Sequence, residues 1–300
     1  MPQSGFDAVR PGMGEIVNAM TVDVEDYFHV ASLAESIPRS RWNSMEYRAE
    51  QSTGRLLELF ESRGVHATFF VLGWVADRSP ALVRRIAAGG HEIACHGESH
   101  ELVYRQAPEV FRKETVGSKR RLEDLIGAPV RGYRAASYSV TRQSLWALDV
   151  ILDAGFEYDS SVFPIRHDVY GLPDAPLYPT RMTAPSGRAL VEFPLSTASF
   201  LGVRVPVAGG GYFRLLPYWL ISSGLRQVNR KASPFVFYLH PWEVDPGQPR
   251  IDASFKSRLR HYTNLDVCEA RLARLVSEFR FGRMDEVLVS LGLLPNRAVA

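Results

Sequence analysis

Two histidines four positions apart, His96 and His100, are the first residues whose type and spacing suggest chemistry. If the segment is helical, both imidazoles lie on one face, one turn apart, which suits shared binding of a divalent cation. Because Gly97 follows the first histidine, the pair is not the HExxH helix of a metalloprotease. Taken alone, the pair is also compatible with surface or helix-capping histidines.

Three carboxylates, Asp23, Glu25 and Asp26, follow an apolar strand-like run in the segment TVDVED. Asp23 and Glu25 point the same way if the strand persists, because side chains alternate along a strand. Carboxylates crowded at the end of an apolar strand repel one another unless a cation or a partner offsets their charge. Together with the histidines they predict a His/His/carboxylate metal site, with one more carboxylate free to act as a general base.

The other candidate residues also follow apolar runs. His240 ends the run FVFYL and is a candidate general acid across from the cation. Arg134 and Tyr138 lie in the segment RGYRAASYS, and Arg134 could pair with Asp23 or with Asp159.

Apolar strand-like runs alternate with helical patterns, which predicts a parallel sheet covered by helices. The predicted strands are residues 16–23, 66–72, 92–95, 130–135, 158–163, 190–195 and 235–239. The predicted helices are residues 53–63, 80–88, 108–125, 141–154, 217–229 and 266–279. About seven strand–helix units suit a barrel better than an open sheet, and the strands' carboxyl ends then meet at one mouth. Residues 165–190 and 241–258 are expected to be loops.

The composition places the chain among ordinary globular proteins. It has 300 residues, of which 46% are hydrophobic and 23% charged, so disordered and fibrous classes are excluded. A formal charge of +2 without a long basic run argues against a nucleic-acid groove. With two cysteines, Cys95 and Cys268, a disulfide framework is excluded.

The sequence predicts no membrane span, because no apolar stretch approaches the ~18 residues that one requires. Residues 1–20 contain acidic residues and no apolar core of a secretory signal, so a cytoplasmic location is expected. Residues 1–15 are rich in Gly and Pro and are predicted to be a flexible extension.

The ordered set of motifs resembles the NodB-type polysaccharide deacetylases, carbohydrate esterase family 4, over about residues 20–245. TVDVED stands where that family has Thr-Phe-Asp-Asp-Gly, HGESH matches its His-x-x-x-His motif, and RAASY matches Arg-x-Pro-x-Tyr. YDSS occupies the fourth motif and the Leu-His pair at 239–240 the fifth. The resemblance implies an α/β fold, a distorted (β/α)7 barrel called the NodB homology domain, over residues 16–245.

The sequence around these motifs resembles the exosortase-associated, PEP-CTERM-type deacetylases, which are linked to exopolysaccharide synthesis. The segments that carry this likeness are DVEDYFHV, RGYRAASYS, YDSSVFP, GGGYFR and YLHPWE. Those proteins have a characteristic C-terminal extension, which here would be residues 200–290 packed on the barrel.

Carried over by position, the resemblance makes Asp23 the catalytic base and His240 the acid. His96 and His100 become metal ligands, and Arg134 orients the base. It also places Tyr138 and Asp159 among the catalytic residues, Tyr138 through a backbone N–H that stabilises the oxyanion.

The chain departs from the family pattern at the metal and around the acetyl pocket. Val24 stands where the family has its metal-binding aspartate, so the third ligand is Glu25 or Asp26. Related subgroups with Asp-x-Asp favour position 25. Ala136 replaces the motif proline, and the tryptophan of the fourth motif is missing.

The implied function is metal-dependent removal of N-acetyl groups from an amino-sugar polysaccharide during exopolysaccharide biosynthesis. The expected cofactor is Zn²⁺, with Co²⁺ or Ni²⁺ as alternatives. The expected partner is an N-acetylated oligo- or polysaccharide, while the polymer and the oligomeric state are not indicated. Two alternatives stay open: a metal-independent amidohydrolase acting on a small ureide-like substrate, and a catalytically decayed glycan-binding protein. A glycosidase using Asp23 with Glu25 or Asp26 leaves the histidines unexplained.

Overall fold

The computed structural model describes residues 16–167 and 170–296. The predicted flexible extension, residues 1–15, lies outside the described residues. Within the part of the chain that is described, no helix combines the length and apolar character needed to cross a bilayer.

The strands are β1 (Val17–Val24), β2 (Thr68–Val71), β3 (Glu92–Cys95), β4 (Gly132–Tyr133), β5 (Tyr158–Asp159), β6 (Thr180–Thr183), β7 (Ala189–Glu192), β8 (Thr197–Phe200), β9 (Val203–Pro206), β10 (Val236–Leu239) and β11 (Arg280–Gly282). Seven of these described strands form a continuous parallel path, in the order β10, β1, β2, β3, β4, β5, β7, and β11 is an eighth strand that pairs parallel with β1. β6 lies antiparallel on β7, β11 pairs with the start of β1, and β8 and β9 form a separate hairpin.

The helices are α1 (Ala49–Ser62), α2 (Gly73–Arg78), α3 (Pro80–Ala88), α4 (Pro108–Ile126), α5 (Trp146–Asp153), α6 (Gly210–Leu215), α7 (Tyr218–Arg230), α8 (Phe255–Tyr262), α9 (Leu265–Glu278) and α10 (Met284–Ser290). Helices α1, α3 and α4 cover the outer face of the sheet, where their side chains Leu56, Val83 and Leu122 are buried against the strands. Burial of β1 to β3 on both faces explains their near-continuous apolar sequences.

Irregular segments complete the ring between β7 and β10. Leu195 N donates to Val162 O at 2.9 Å, and Val207 N donates to Ser196 O at 3.2 Å. Tyr238 N then donates to Ala208 O at 2.7 Å, beside β10. The fold is therefore the distorted barrel of seven parallel strands that the sequence predicts.

The predicted elements are all present, but short ones were missed. All seven predicted strands correspond to the parallel strands, although β4 and β5 each extend over only two residues. β6 lies within the predicted loop 165–190, and α8 begins in the predicted loop 241–258. β6 has the sequence TRMT, whose polar, half-exposed side chains give no apolar signal. α2, α6, α10, β8, β9 and β11 were not predicted either, because each is too short to show a clear period.

The amino end of the barrel is closed by the C-terminal helix α10. Met284 N donates to Thr68 Oγ1 at 2.8 Å, and Asp285 N donates to Glu92 Oε2 at 3.2 Å. Met284 and Leu288 pack against the barrel's inner apolar side chains. With one end filled in this way, the carboxyl ends of the strands form the open mouth.

Closure of the ring depends on Gly209, which has φ 127° and bridges to Tyr238. A Cβ at this position would overlap the carbonyl oxygen of Tyr238. We predict that Gly209→Ala lowers the free energy of unfolding by at least ~2 kcal/mol, measured by urea denaturation. The control Gly117→Ala lies on α4 with no atom near the added Cβ, and should raise stability by ~0.5–1 kcal/mol. Equal stabilities for Gly209→Ala and the unmodified chain would contradict this account of ring closure.

Candidate active site

Glu25, His96 and His100 converge at the open mouth of the barrel. One ligand atom from each residue lies within 4.8 Å of the others. His100 Nε2 is 2.9 Å from Glu25 Oε2. Burial raises the pKa of Glu25, but His100 and His240 outweigh that effect and hold the pKa below its ordinary value.

The two histidines meet without a helix between them. Gly97 has φ 78° and His100 has φ 52°, so a tight left-handed turn brings the rings to a centroid distance of 5.4 Å. The helical spacing considered from the sequence is therefore not the cause of their convergence. His96 Nδ1 lies 2.9 Å from the carbonyl oxygen of Arg134, which assigns the proton to Nδ1 and leaves Nε2 free. Burial lowers the pKa of His96 to about 4, so the ring is neutral at pH 7.

These residues fit a divalent cation. One carboxylate and two imidazoles are the donor set of many catalytic zinc sites, which keep a further position open. Glu25 Oε2 is buried and has no hydrogen-bond partner among the described residues, although His100 Nε2 is 2.9 Å away. A cation bound between Glu25 Oε2 and His100 Nε2 would accept a lone pair from each atom.

Asp26, the alternative third ligand, is turned away from this group. Its Oδ1 accepts from Tyr27 N at 2.8 Å. Its Oδ2 accepts from Arg48 N at 2.6 Å and from Ala49 N at 2.7 Å, where α1 begins. Burial raises the pKa of Asp26 to about 6, although these backbone bonds act in the opposite direction. Of the two carboxylates left open by the sequence, the structure brings Glu25 to the histidines.

Asp23 lies beside the cluster and is held by two side chains. Arg134 Nη1 donates to Asp23 Oδ1 at 2.6 Å, and Tyr138 OH donates to Asp23 Oδ2 at 3.2 Å. Burial raises the pKa of Asp23, but the Arg134 guanidinium outweighs burial and keeps the pKa below its usual range. Arg134 therefore pairs with Asp23 and not with Asp159.

The backbone N–H of Tyr138 is already engaged. It donates to the carbonyl oxygen of Ala135 at 3.1 Å within a short 3₁₀ turn. In this structure the turn after Arg134 therefore uses the N–H that was expected to face the oxyanion. Ser137 and Tyr138 both have positive φ, 50° and 53°, and this left-handed pair directs the Tyr138 hydroxyl towards Asp23.

His240 follows β10 and faces both Asp23 and Glu25. Its Nε2 is 3.4 Å from Glu25 Oε1 and 3.9 Å from Asp23 Oδ2. Its Nδ1 is 2.7 Å from Glu243 Oε1, a partner that the sequence analysis missed. The signal for Glu243 is the segment HPWE, which forms a capped 3₁₀ turn with Glu243 Oε1 accepting from His240 N at 3.1 Å.

Asp159 does not join this group. Its Oδ1 accepts from Ser161 Oγ at 2.5 Å, and Glu192 is its register partner on β7. Burial raises the pKa of Asp159 to about 6 and the pKa of Glu192 well above its ordinary value. None of the hydrogen bonds described for residues 16–167 and 170–296 connects the Asp159 carboxyl to Asp23, Arg134 or His240. The predicted catalytic position of Asp159 is thus replaced by a buried carboxyl pair.

Two family models match adjacent parts of the chain. Residues 42–158 match the polysaccharide deacetylase family, and residues 160–289 match a domain of unknown function, DUF3473. These two regions of the chain are therefore similar to the two families, and neither match covers half of the chain. The first region holds His96, His100, Arg134 and Tyr138, while His240 lies in the second.

Two similar proteins have names that state an activity. Residues of this chain are 29% identical over 99 residues to a chitooligosaccharide deacetylase of Bradyrhizobium sp., covering 33% of this chain and 43% of that protein. They are 30% identical over 98 residues to a peptidoglycan-N-acetylglucosamine deacetylase of Bacillus cereus, covering 32% and 36%. The chain thus matches less than half the length of either relative.

Two solved structures share the fold along nearly the whole chain. One is a Mycobacterium smegmatis protein provisionally assigned as a polysaccharide deacetylase, with TM-score 0.59, 19% identity and coverage of 95% and 96% of the two chains. The other is PuuE allantoinase, with TM-score 0.62, 14% identity and coverage of 95% and 94%. Both confirm the α/β barrel architecture.

The structure predicts which carboxylate binds a cation. Glu25→Gln should weaken Zn²⁺ binding by at least the ~10–100-fold that changes in outer-shell partners cost. Asp26→Asn should leave Zn²⁺ affinity unchanged and lower stability by ~1–3 kcal/mol, because its amide NH2 would face backbone N–H groups that a carboxylate oxygen now accepts from. Calorimetric titration of chelator-treated protein with Zn²⁺ measures both. Loss of binding in Asp26→Asn, with binding retained in Glu25→Gln, would reverse the assignment.

Proposed function

We propose that this chain is a metal-dependent hydrolase that removes N-acetyl groups from an amino-sugar polysaccharide. The observation that carries the proposal is the placement of a carboxylate and an imidazole on either side of the ligand cluster. Asp23 and His240 approach it together, with His240 Nε2 3.4 Å from Glu25 Oε1 and 3.9 Å from Asp23 Oδ2. A general base and a general acid beside one cation site form the arrangement that amide hydrolysis needs.

Glu25, His96 and His100 would hold the cation, and the two imidazoles with one carboxylate suit Zn²⁺, with Co²⁺ or Ni²⁺ as alternatives. When bound, such an ion lowers the pKa of water and polarises the acetyl carbonyl. His96 is oriented for this role by its Nδ1 bond to the Arg134 carbonyl.

Asp23 acts as the general base. Its Oδ1 is fixed by Arg134 and its Oδ2 faces His240 and the Tyr138 hydroxyl. Because Arg134 holds the pKa of Asp23 below its usual range, the carboxylate is ionised at pH 7 and can take a proton from the attacking water.

His240 acts as the general acid. Its Nδ1 faces Glu243, so Nε2 is directed at the cluster and can donate a proton to the leaving nitrogen. The water oxygen bonds to the acetyl carbon, the C–N bond breaks, and the products are acetate and a free amine.

The names of the relatives support the substrate class, since both act on glycans that carry N-acetyl groups. On the sequence motifs alone, we further propose that the chain acts in exopolysaccharide synthesis and is related to the exosortase-associated deacetylases. We also propose that residues 16–245 form the deacetylase barrel and that residues 200–290 are the family-specific extension packed on it. The cytoplasmic location also stays a prediction of the sequence. PuuE allantoinase shares this fold, so a ureide substrate is the alternative that the experiment must separate.

The test is acetate release from a panel of N-acetylated oligosaccharides before and after chelation and Zn²⁺ addition. Asp23→Asn should lower kcat by about 10²–10⁴-fold and retain Zn²⁺, because a base is lost while the ligands remain. The control Asp153→Asn removes a surface carboxylate paired with Arg112 and should leave kcat unchanged.

Other outcomes identify the alternatives. Chelator-resistant hydrolysis of a ureide would favour the metal-independent amidohydrolase. Glycan binding without acetate release would favour a decayed binding protein. Loss of Zn²⁺ in Asp23→Asn would make Asp23 a ligand and contradict its assignment as the base.

A further inference from the structure

We propose that Arg214, which belongs to the DUF3473 region, is a positioning residue for His240 and acts on it through Glu243. The inference rests on the proposed function, because it assumes that His240 is the catalytic acid. It assigns a role in the active site to a region whose family has no stated function.

Arg214 is a buried cation held in one orientation. Its side chain is 1% exposed, and Nε donates to Glu243 Oε2 at 2.6 Å. Its terminal nitrogens donate to the carbonyl oxygens of Arg260, His261 and Thr263, at 3.0, 3.0 and 2.8 Å respectively. These carbonyls lie at the C-terminal end of α8, where a cation offsets the negative end of the helix.

Glu243 passes this orientation on to His240, because its two oxygens serve different partners. Oε2 accepts from Arg214, while Oε1 faces His240 Nδ1 at 2.7 Å and accepts from His240 N at 3.1 Å. The carboxylate cannot rotate towards another partner without losing one of these bonds. The imidazole is thereby held with Nε2 towards Glu25 and Asp23.

The plane of the His240 ring is held by stacking on Trp242, which Arg214 also contacts. Trp242 stacks on His240 with a centroid distance of 5.1 Å and on His261 with 4.3 Å. The guanidinium of Arg214 lies over the Trp242 ring at 5.2 Å. The imidazole of His240 is therefore restrained both in its plane, by Glu243, and on its face, by Trp242.

An arginine suits this position better than a lysine. The guanidinium presents donors in a rigid planar fork, so one side chain reaches the carboxylate and three carbonyls at once. A lysine keeps the charge but has one nitrogen, so it cannot hold Glu243 and the end of α8 in the same geometry.

The kinetic test compares Arg214→Lys, Glu243→Gln and the double variant. Each single variant should lower kcat by about 10-fold or more, with KM and Zn²⁺ content unchanged. The loss should not exceed the ~10²–10⁴-fold that a general acid contributes in full. The double variant should be no slower than Glu243→Gln, because both substitutions remove the same restraint.

Arg271→Lys is the matched control. Arg271 Nη1 donates to the carbonyl oxygens of Phe213, Arg214 and Leu216, so it braces the same segment, and its described bonds do not reach Glu243. This variant should lower stability without changing kcat. Additive losses in the Arg214 and Glu243 double variant, or an equal kcat loss in Arg271→Lys, would overturn the positioning role.

A second readout does not depend on activity. In metal-free protein labelled with ¹⁵N-histidine, the bonded Nδ1–H of His240 should give a downfield proton resonance that Arg214→Lys shifts and Arg271→Lys retains. An unchanged resonance in Arg214→Lys would contradict the inference. If the resonance behaves as expected but the unmodified chain releases no acetate, the proposed function fails and the link from Arg214 to His240 stands.

If Arg214→Lys does not fold, Glu243→Asp takes its place. The shorter side chain cannot reach Arg214 and His240 together, so in metal-free protein labelled with both ¹⁵N-arginine and ¹⁵N-histidine the Arg214 Nε–H and His240 Nδ1–H resonances should shift in concert. The value of kcat should also fall. A shift of only one of these resonances would show that the two residues are not linked through Glu243.

Discussion

The buried ion pair between Arg134 and Asp23 is the constraint on which the rest of the site depends. Both side chains are removed from water, and such a pair persists only when its geometry and additional hydrogen bonds offset the cost of desolvation. Arg134 meets this condition with bonds to Thr21 Oγ1 at 2.8 Å and Ser160 Oγ at 3.0 Å, and with the Phe70 ring 4.0 Å from its guanidinium carbon.

Arg134 also orders the proposed cation site. The Arg134 carbonyl oxygen fixes the His96 tautomer, while its guanidinium fixes Asp23. Arg134, which directly follows β4, thus orients both the proposed base and one of the proposed ligands. Arg134 thus holds Asp23 beside the cluster, while Glu25 is the carboxylate that lies with the two histidines.

The boundary between the two matched families lies inside the barrel. β5 ends at Asp159, and the strands that complete the ring, β7 and β10, lie in the DUF3473 region. β10 pairs with β1, which precedes both matched regions, and carries His240 at its end. His240, the proposed catalytic acid, and the closure of the barrel therefore both depend on the region that matches DUF3473.

The sequence predicted the parts that follow from local pattern. Asp23, His96 and His240 each follow an apolar run, and parallel strands direct such residues to one mouth. The choice between Glu25 and Asp26 could not be predicted, because the N–H groups that capture Asp26 come from residues 22 and 23 positions away. The bond between Glu243 and Arg214 could not be predicted either, because the two residues are 29 positions apart and the helix that carries Arg214 is short.

The most direct test that Glu25, His96 and His100 bind one cation is anomalous diffraction at the zinc edge from crystals of the Zn²⁺-loaded chain. The account predicts one peak at the barrel mouth, about 2.0–2.2 Å from a Glu25 carboxylate oxygen and from one nitrogen each of His96 and His100. Asp23 should lie next to the peak, still bonded to Arg134. A peak elsewhere, or these side chains left uncoordinated in zinc-loaded crystals, would contradict it.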